Sequence, residues 1–213
     1  MDNANLRIYF FRHAESVANT QPDIIGGRSN ESPLSDVGVA QAQRLGRILL
    51  EKGLRPDRIF ASPALRTMET ARISLAEAGI ETKPVISEAL QEMSQGDWVG
   101  KKRDAIYTLE RIKDIEAAGK DFKAPNGESM NEVGLRKYHE WLVPAFADHK
   151  PEEPHTVFVF GHGMAIRCLV SYLENWDRQQ TYETVVPNTS VTLISHTDGA
   201  WKLDYIGRDI SEI

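Results

Sequence analysis

Two histidines stand at places where a side chain could do chemistry. His13 follows Arg12 just after the short apolar run Leu6–Phe11, and His162 lies between Gly161 and Gly163 after the run Thr156–Phe160. Each run reads as a buried β-strand. Imidazoles at strand ends can form a metal pair, form a nucleophile–base pair, or do neither and serve structure alone. A metal needs three or four ligands, and His139, His149, His155 and His196 show no ligand spacing with these two. The glycines beside His162 let a ligand approach the backbone. A helix starting just after Gly163 offers free N–H groups to an anion. Arg66, early in the helical segment SPALRTMETA, reads either as a helix-surface arginine or as a side chain reaching back over the sheet edge beside Arg12. Two guanidinium groups can clamp one phosphate through paired N–H donors. Glu92, in ALQEMSQGDWVG, lies just beyond a third candidate strand. Alone it is one of 31 acidic residues, and only the combination singles it out.

These residues need elements to hold them. Ser35 is an N-cap candidate for a helix running to Glu51 and stopped by Gly53 and Pro56. Arg58–Ala61 reads as a second strand. Pro63 fits the first turn of a helix reaching about Ala78, with Gly79 as its stop. Pro84–Ile86 reads as a short third strand. Met164 to about Glu174 reads as a helix, and Ser190–His196 with Trp201–Ile206 as a hairpin around Asp198-Gly199. Between them, Gln91 to Lys150 carries charged helical segments, Lys102–Ala117 and Ser129–Phe146. Strands alternating with helices predict a single α/β domain over residues 1–213. The expected form is a three-layer sandwich, its mostly parallel central sheet flanked by helices, with a helical cap insertion over about 91–150. Ligands of such sheets bind beyond the carboxyl ends of the strands. Both histidine motifs fall there.

Bulk properties narrow the function classes. The chain has 213 residues, 41% hydrophobic and 26% charged, with a formal net charge of −6. That excludes a generally basic nucleic-acid surface. An acidic protein that holds phosphate must concentrate positive charge locally. Cys168 is the single cysteine, so neither a disulfide framework nor a cysteine zinc site is expected. No window approaches the roughly 20 apolar residues of a membrane span, and the N-terminus lacks a signal-peptide pattern. A soluble cytoplasmic protein is the default expectation. A homodimer is compatible with the sequence but not fixed by it.

Taken in order, the motifs resemble one family. FRHAESVAN (Phe11–Asn19) resembles the signature of the histidine phosphatase superfamily, also called phosphoglycerate mutase-like. Gly27–Gly46 looks like the family's loop and following helix, Ser62–Ala71 like its second arginine motif, and Leu90–Gly100 like its acidic motif. Val159–Arg167 looks like its second histidine motif and Pro187–Ile194 like its final core segment. The resemblance implies a metal-independent phosphatase without a cofactor. His13 would become phosphohistidine. Arg12, Arg66 and His162 would surround the phosphoryl group, and Asn19 matches a phosphate-pocket position. Glu92 would give a proton to the leaving oxygen and later act as base for water. The physics agrees: a neutral imidazole among cations stays nucleophilic, and phosphoryl transfer asks mostly for positioning and charge stabilisation.

Two departures stand out. Ala14 replaces the family's usual glycine, a small intrusion that removes no reacting atom. Val99 replaces a frequent glutamate and is expected to alter the pocket rim. The insertion favours a small phosphorylated metabolite as substrate, with Trp98, Tyr107 and the loop Pro125–Ser129 as candidates for recognising it, although packing of cap on sheet is the favoured reading of both rings. A cofactor-dependent phosphoglycerate mutase is the main alternative. Ala18 stands where such mutases usually carry tryptophan, and their ERHYG-like stretch is absent. A binding module with a broken catalytic set is a third reading, opposed by the presence of all five reacting residues. A nucleotide P-loop is excluded, because Gly161-His162-Gly163 is too short and no GKS or GKT follows.

Overall fold

The computed structural model describes residues 6–148, 155–197 and 199–213. Along the chain run β1 (Leu6–Arg12), α1 (Asp36–Glu51), β2 (Arg58–Ala61), α2 (Leu65–Glu77) and β3 (Val85–Ile86). Two short helices follow, α3 (Arg103–Ile106) and α4 (Leu109–Ala118). Next come α5 (Met130–Arg136), a π-helical stretch over Lys137–Leu142, and α6 (Val143–Ala145). The chain closes with β4 (His155–Gly161), α7 (Gly163–Leu173), α8 (Arg178–Glu183), β5 (Val191–Thr197) and β6 (Ala200–Arg208).

The six strands form one sheet in the order β3-β2-β4-β1-β5-β6. The first four are mutually parallel, and β5 and β6 extend the sheet antiparallel. Strand residues alternate between faces with period two, so a strand buried on both faces is apolar throughout. In β1, Leu6, Ile8 and Phe10 enter one core with Trp141, Leu142, Ile166 and Leu169. Tyr9 and Phe11 enter the other with Leu45, Leu49, Ala71 and Leu75. Helices α1 and α2 therefore cover one face, and α5 to α7 cover the opposite face. The expected three-layer α/β sandwich is present. Helices α1 and α2 touch at Gly46, where a Cβ would lie 2.3 Å from the Ser74 carbonyl oxygen, so only glycine fits.

Several boundaries differ from the sequence reading for local reasons. Ser35 does cap α1, accepting from the Gly38 N–H at 3.0 Å. Pro63 precedes the N-cap Ala64 and so lies ahead of α2, whose first turn begins at Leu65. The segment Lys102–Ala117 is broken at Tyr107, because the Thr108 hydroxyl caps a new helix by accepting from Arg111 N–H. The expected cap is narrower than 91–150. Ser129 starts α5 with a capping box to Glu132, but the stretch it leads drives Trp141 into the sheet core. The Trp141 ring lies 5.7 Å from Phe10 and 5.5 Å from Phe60. That half belongs to the helical layer, whereas α3 and α4 supply Arg103, Ile112, Ile115 and Glu116 to the wall of a cavity. His149 and Lys150 at the end of the expected insertion, and Asp198 of the hairpin turn, lie outside the described residues. No helix among the described residues is long and apolar enough to cross a membrane.

Candidate active site

Strand register brings the two histidines together. Arg12 pairs with Gly161 across β1 and β4. The next residue of each strand, His13 and His162, therefore leaves the same carboxyl edge. Their ring centroids lie 5.3 Å apart, and both rings are buried. On the other side of β4, Ala61 pairs with Phe160, which sets Ser62 beside His162.

Hydrogen bonding fixes the tautomers. His13 Nδ1 lies 2.7 Å from the Ala14 carbonyl oxygen. A carbonyl only accepts, so Nδ1 carries the proton and Nε2 carries the lone pair. Arg66 Nε–H donates to that Nε2 at 3.1 Å, which requires the same tautomer. Arg66 Nη2 donates to His162 Nδ1 at 3.1 Å, and Nη1 to the Ser29 carbonyl at 2.8 Å. His162 then holds its proton on Nε2 and donates to Ser62 Oγ at 2.8 Å. One guanidinium is thus forked between two imidazoles. Burial first, then Arg66 and Arg12, hold His13 well below the ordinary histidine range, with the Ala14 hydrogen bond opposing. Burial, Arg66, His13, Lys137 and Arg12 do the same to His162. Both rings are neutral in this state.

The backbone around His13 is tied on several sides. Its N–H donates to the Gly161 carbonyl at 2.9 Å, and its carbonyl accepts from Asn188 Nδ2 at 2.8 Å. Ala14 N–H donates to Thr70 Oγ1 at 3.0 Å. The Ala14 methyl is fully buried without disturbing these bonds. Arg12 donates through Nη1 to the Val186 carbonyl at 2.7 Å, while its Nε is buried without a partner among the described residues. Gly163 makes room for it, since a Cβ there would lie 3.2 Å from Arg12 Nε. Burial pushes both arginines down from the usual arginine range, and Glu92 opposes this in each case.

Glu92 reaches the same cavity from the loop after β3. Its Oε1 accepts from Met93 N–H at 2.8 Å and Ala165 N–H at 2.9 Å, and its Oε2 from Met164 N–H at 3.2 Å. This corrects one expectation: two N–H groups at the start of α7 are held by Glu92 rather than left free for the anion. Asn19 is exposed on the cavity wall. Its Oδ1 accepts from Ser16 N–H and Oγ, which leaves the amide N–H groups as its donors. The cavity measures about 980 Å³; the buried or half-buried Arg12, His13, Arg66, Glu92 and Gly163 form its inner end, and the exposed Asn19 also lines it. Trp98 and Tyr107 also line it. Val99 does not line the cavity itself; it is exposed and packs against Gly27, which does.

Sequence reasoning missed Ser62, Asn188 and the outer wall from Arg178 to Val186. Ser62 opens the second arginine motif, one residue past the end of β2. The α8 wall is a short polar helix with no chemical signature of its own.

Comparison with known proteins fits this geometry. The chain is 27% identical over 198 residues to a Yersinia pestis protein named probable phosphoglycerate mutase GpmB, covering 92% of this chain and 87% of that one. Bacillus stearothermophilus YhfR is similar in structure, with TM-score 0.79 and 28% identity over 95% of this chain and 97% of that one. A mycobacterial glucosyl-3-phosphoglycerate phosphatase shares the fold, with TM-score 0.78 and 24% identity over 95% and 99% of the two chains. Residues 8–209 match the family model of the histidine phosphatase superfamily (branch 1). A match of that extent, with the motifs in order and converging on one cavity, means that the chain belongs to the histidine phosphatase superfamily.

Proposed function

We propose that the protein is a phosphomonoester hydrolase working through a phosphohistidine on His13 Nε2, with a small phosphorylated metabolite as substrate. The observation that carries this reading is the unprotonated Nε2, buried in a cationic pocket at the sheet edge and aimed at Arg66. An incoming phosphoryl group takes over the Arg66 donors and gains those of Arg12. The Nε2 lone pair then forms the P–N bond as the ester P–O bond breaks. Cationic donors stabilise the equatorial oxygens through this step. Glu92 in its acid form gives its proton to the leaving oxygen. In the second half, the Glu92 carboxylate takes a proton from water. The water oxygen bonds to phosphorus, the P–N bond breaks, and Nε2 regains its lone pair. A covalent intermediate divides one difficult displacement into two.

A mutase reading is favoured by the name of the Yersinia relative. One experiment separates the two. The protein is quenched at alkaline pH during turnover of a phosphomonoester panel, with EDTA present and with mono- and bisphosphoglycerates included. The expected result is a phosphoryl adduct on His13 with inorganic phosphate released. His13→Ala should lose the adduct and at least about four orders of magnitude in rate. Phosphate moved between hydroxyls with little release would establish the mutase instead. Wild-type rates in His13→Ala would refute the nucleophile assignment.

A further inference from the structure

Lys137 is an anomaly beside the site. Its side chain is fully buried, and its Nζ has no hydrogen-bond partner among the described residues. A buried charge without a partner is costly, and in a native structure it calls for a reason. Lys137 opens the π-helical stretch that ends at Leu142. Such local widening of a helix occurs frequently at functional sites.

Its neighbours show what it faces. Met130, Val133, Gly134 and Lys137 follow one another at helical spacing along α5 and its continuation. Val133 and Met130 pack with Met93, Met164, Ala165 and Cys168. A Cβ on Gly134 would lie 2.8 Å from the Cys168 carbonyl oxygen, so the helices are in close contact there. Met93, Met164 and Ala165 are the residues whose N–H groups hold the Glu92 carboxylate. Lys137 therefore stands behind the wall that presents Glu92 to the cavity. The charged and titratable groups it feels are Arg136 on its own helix, Glu92 from the loop after β3, and Cys168 on α7. His162, at the end of β4, feels Lys137 in turn. Of these only Glu92 is acidic, and Arg136 is already engaged with Glu128 at 2.9 Å.

We propose that Lys137 is a positioning residue for phosphoryl transfer, supplying from behind α7 the charge that steadies Glu92 and His162 and that is completed by proton uptake when the phosphoryl group arrives. The proposal rests on the phosphatase reading. The proton comes from solvent and converts the amine to the ammonium, with no other bond changed. Burial, reinforced by Arg136 and opposed by Glu92 and Cys168, brings this lysine down to about 7. Near neutrality it is therefore only partly protonated, and a dianion bound nearby draws the proton on.

The test compares wild type, K137M and K137Q, all with the full chain. Turnover of p-nitrophenyl phosphate is followed from pH 5 to 9. Proton uptake on binding inorganic phosphate or orthovanadate is measured by calorimetry in two buffers of different ionisation heat. Both variants should lose roughly ten-fold in kcat, an effect typical of residues that act without touching the ligand, while KM stays nearly constant. The wild-type decline of kcat/KM above about pH 7 should flatten, and proton uptake at that pH should shrink. K137M should melt at or above the wild-type temperature, because methionine of similar length removes a buried charge. If folded variants keep both the wild-type pH profile and the wild-type proton uptake, Lys137 is only a packing residue and the proposal is overturned. If the wild type neither turns over nor binds phosphate, the phosphatase reading itself fails, and the Lys137 proposal falls with it.

Discussion

The cavity has two ends built on different principles. At the inner end, His13 is held by bonds from Gly161, Ala14, Asn188 and Arg66, and His162 by Arg66 and Ser62. Strand register determines where they emerge. At the outer end, the walls are rings and guanidinium groups that range from the buried Trp98 through the half-buried Tyr107 to the exposed Arg103 and Tyr182. Arg103 lies 6.0 Å over the Tyr107 ring, Arg178 lies 5.6 Å over Tyr182, and Trp98 meets Tyr107 at 5.8 Å. Such contacts contribute modestly at exposed positions. The inner end can tolerate little change, because both imidazoles are held at each ring nitrogen. Among the described residues, none of the outer rings is hydrogen-bonded to either imidazole. A chemistry shared across a superfamily and a substrate peculiar to one member can therefore occupy one cavity.

The largest effect that would sharpen this contrast comes from Glu92→Gln. The amide keeps the size of the side chain but cannot give up a proton as an acid does. Hydrolysis of an alkyl phosphate, a poor leaving group, should fall by about 10³, within the usual range for general acid catalysis. Hydrolysis of p-nitrophenyl phosphate should fall far less. Equal losses for both would remove Glu92 from proton transfer and leave it as a cap on α7. Thermal melting of the variant checks that α7 is intact.

Arg66→Lys comes next. Lysine keeps the charge but cannot reach His13, His162 and Ser29 at once, as the fork does. We expect kcat/KM to fall by about 10², the scale of losing one preorganised donor. A loss under two-fold would mean that charge alone matters and that the inner end is less tightly specified than its bonds indicate.

The inner end was also the part most legible in the sequence. Each motif follows an apolar run short enough to be a strand, so RHAES and GHG fall at carboxyl ends whatever the rest of the chain does. Ser35 marked the start of α1 because capping is local chemistry. What stayed illegible depends on distant partners. Nothing local shows that Ser62 serves His162, or that Glu92 takes the N–H groups of Met164 and Ala165. The fate of the stretch after Ser129 turned on Trp141 and Leu142, whose apolar surface belongs against the sheet rather than above the site. Lys137 reads as an ordinary helix-surface lysine until the packing of α5 on α7 buries it. The outer wall at α8 is set by tertiary placement of a polar helix, for which no residue pattern speaks.

The smallest expected effect tests the outer end directly. Tyr107 lines the cavity, yet it also packs edge-on against Trp98, which belongs to a small core with Ile25 and Ala124. If the ring recognises the non-reacting part of a substrate, Tyr107→Ala should cost about ten-fold in kcat/KM for bulky phosphomonoesters, the scale of one lost apolar contact in a pocket. The smallest substrates should be nearly unaffected, because they do not extend to the ring. The phosphohistidine yield on His13 should also hold, since no bond of the inner end runs through Tyr107. A uniform loss on large and small substrates would show instead that the ring props Trp98, and through it the loop carrying Glu92. The two ends would then be mechanically joined, and the division between fixed chemistry and free selection would have to be drawn further out, at Arg178 and Tyr182.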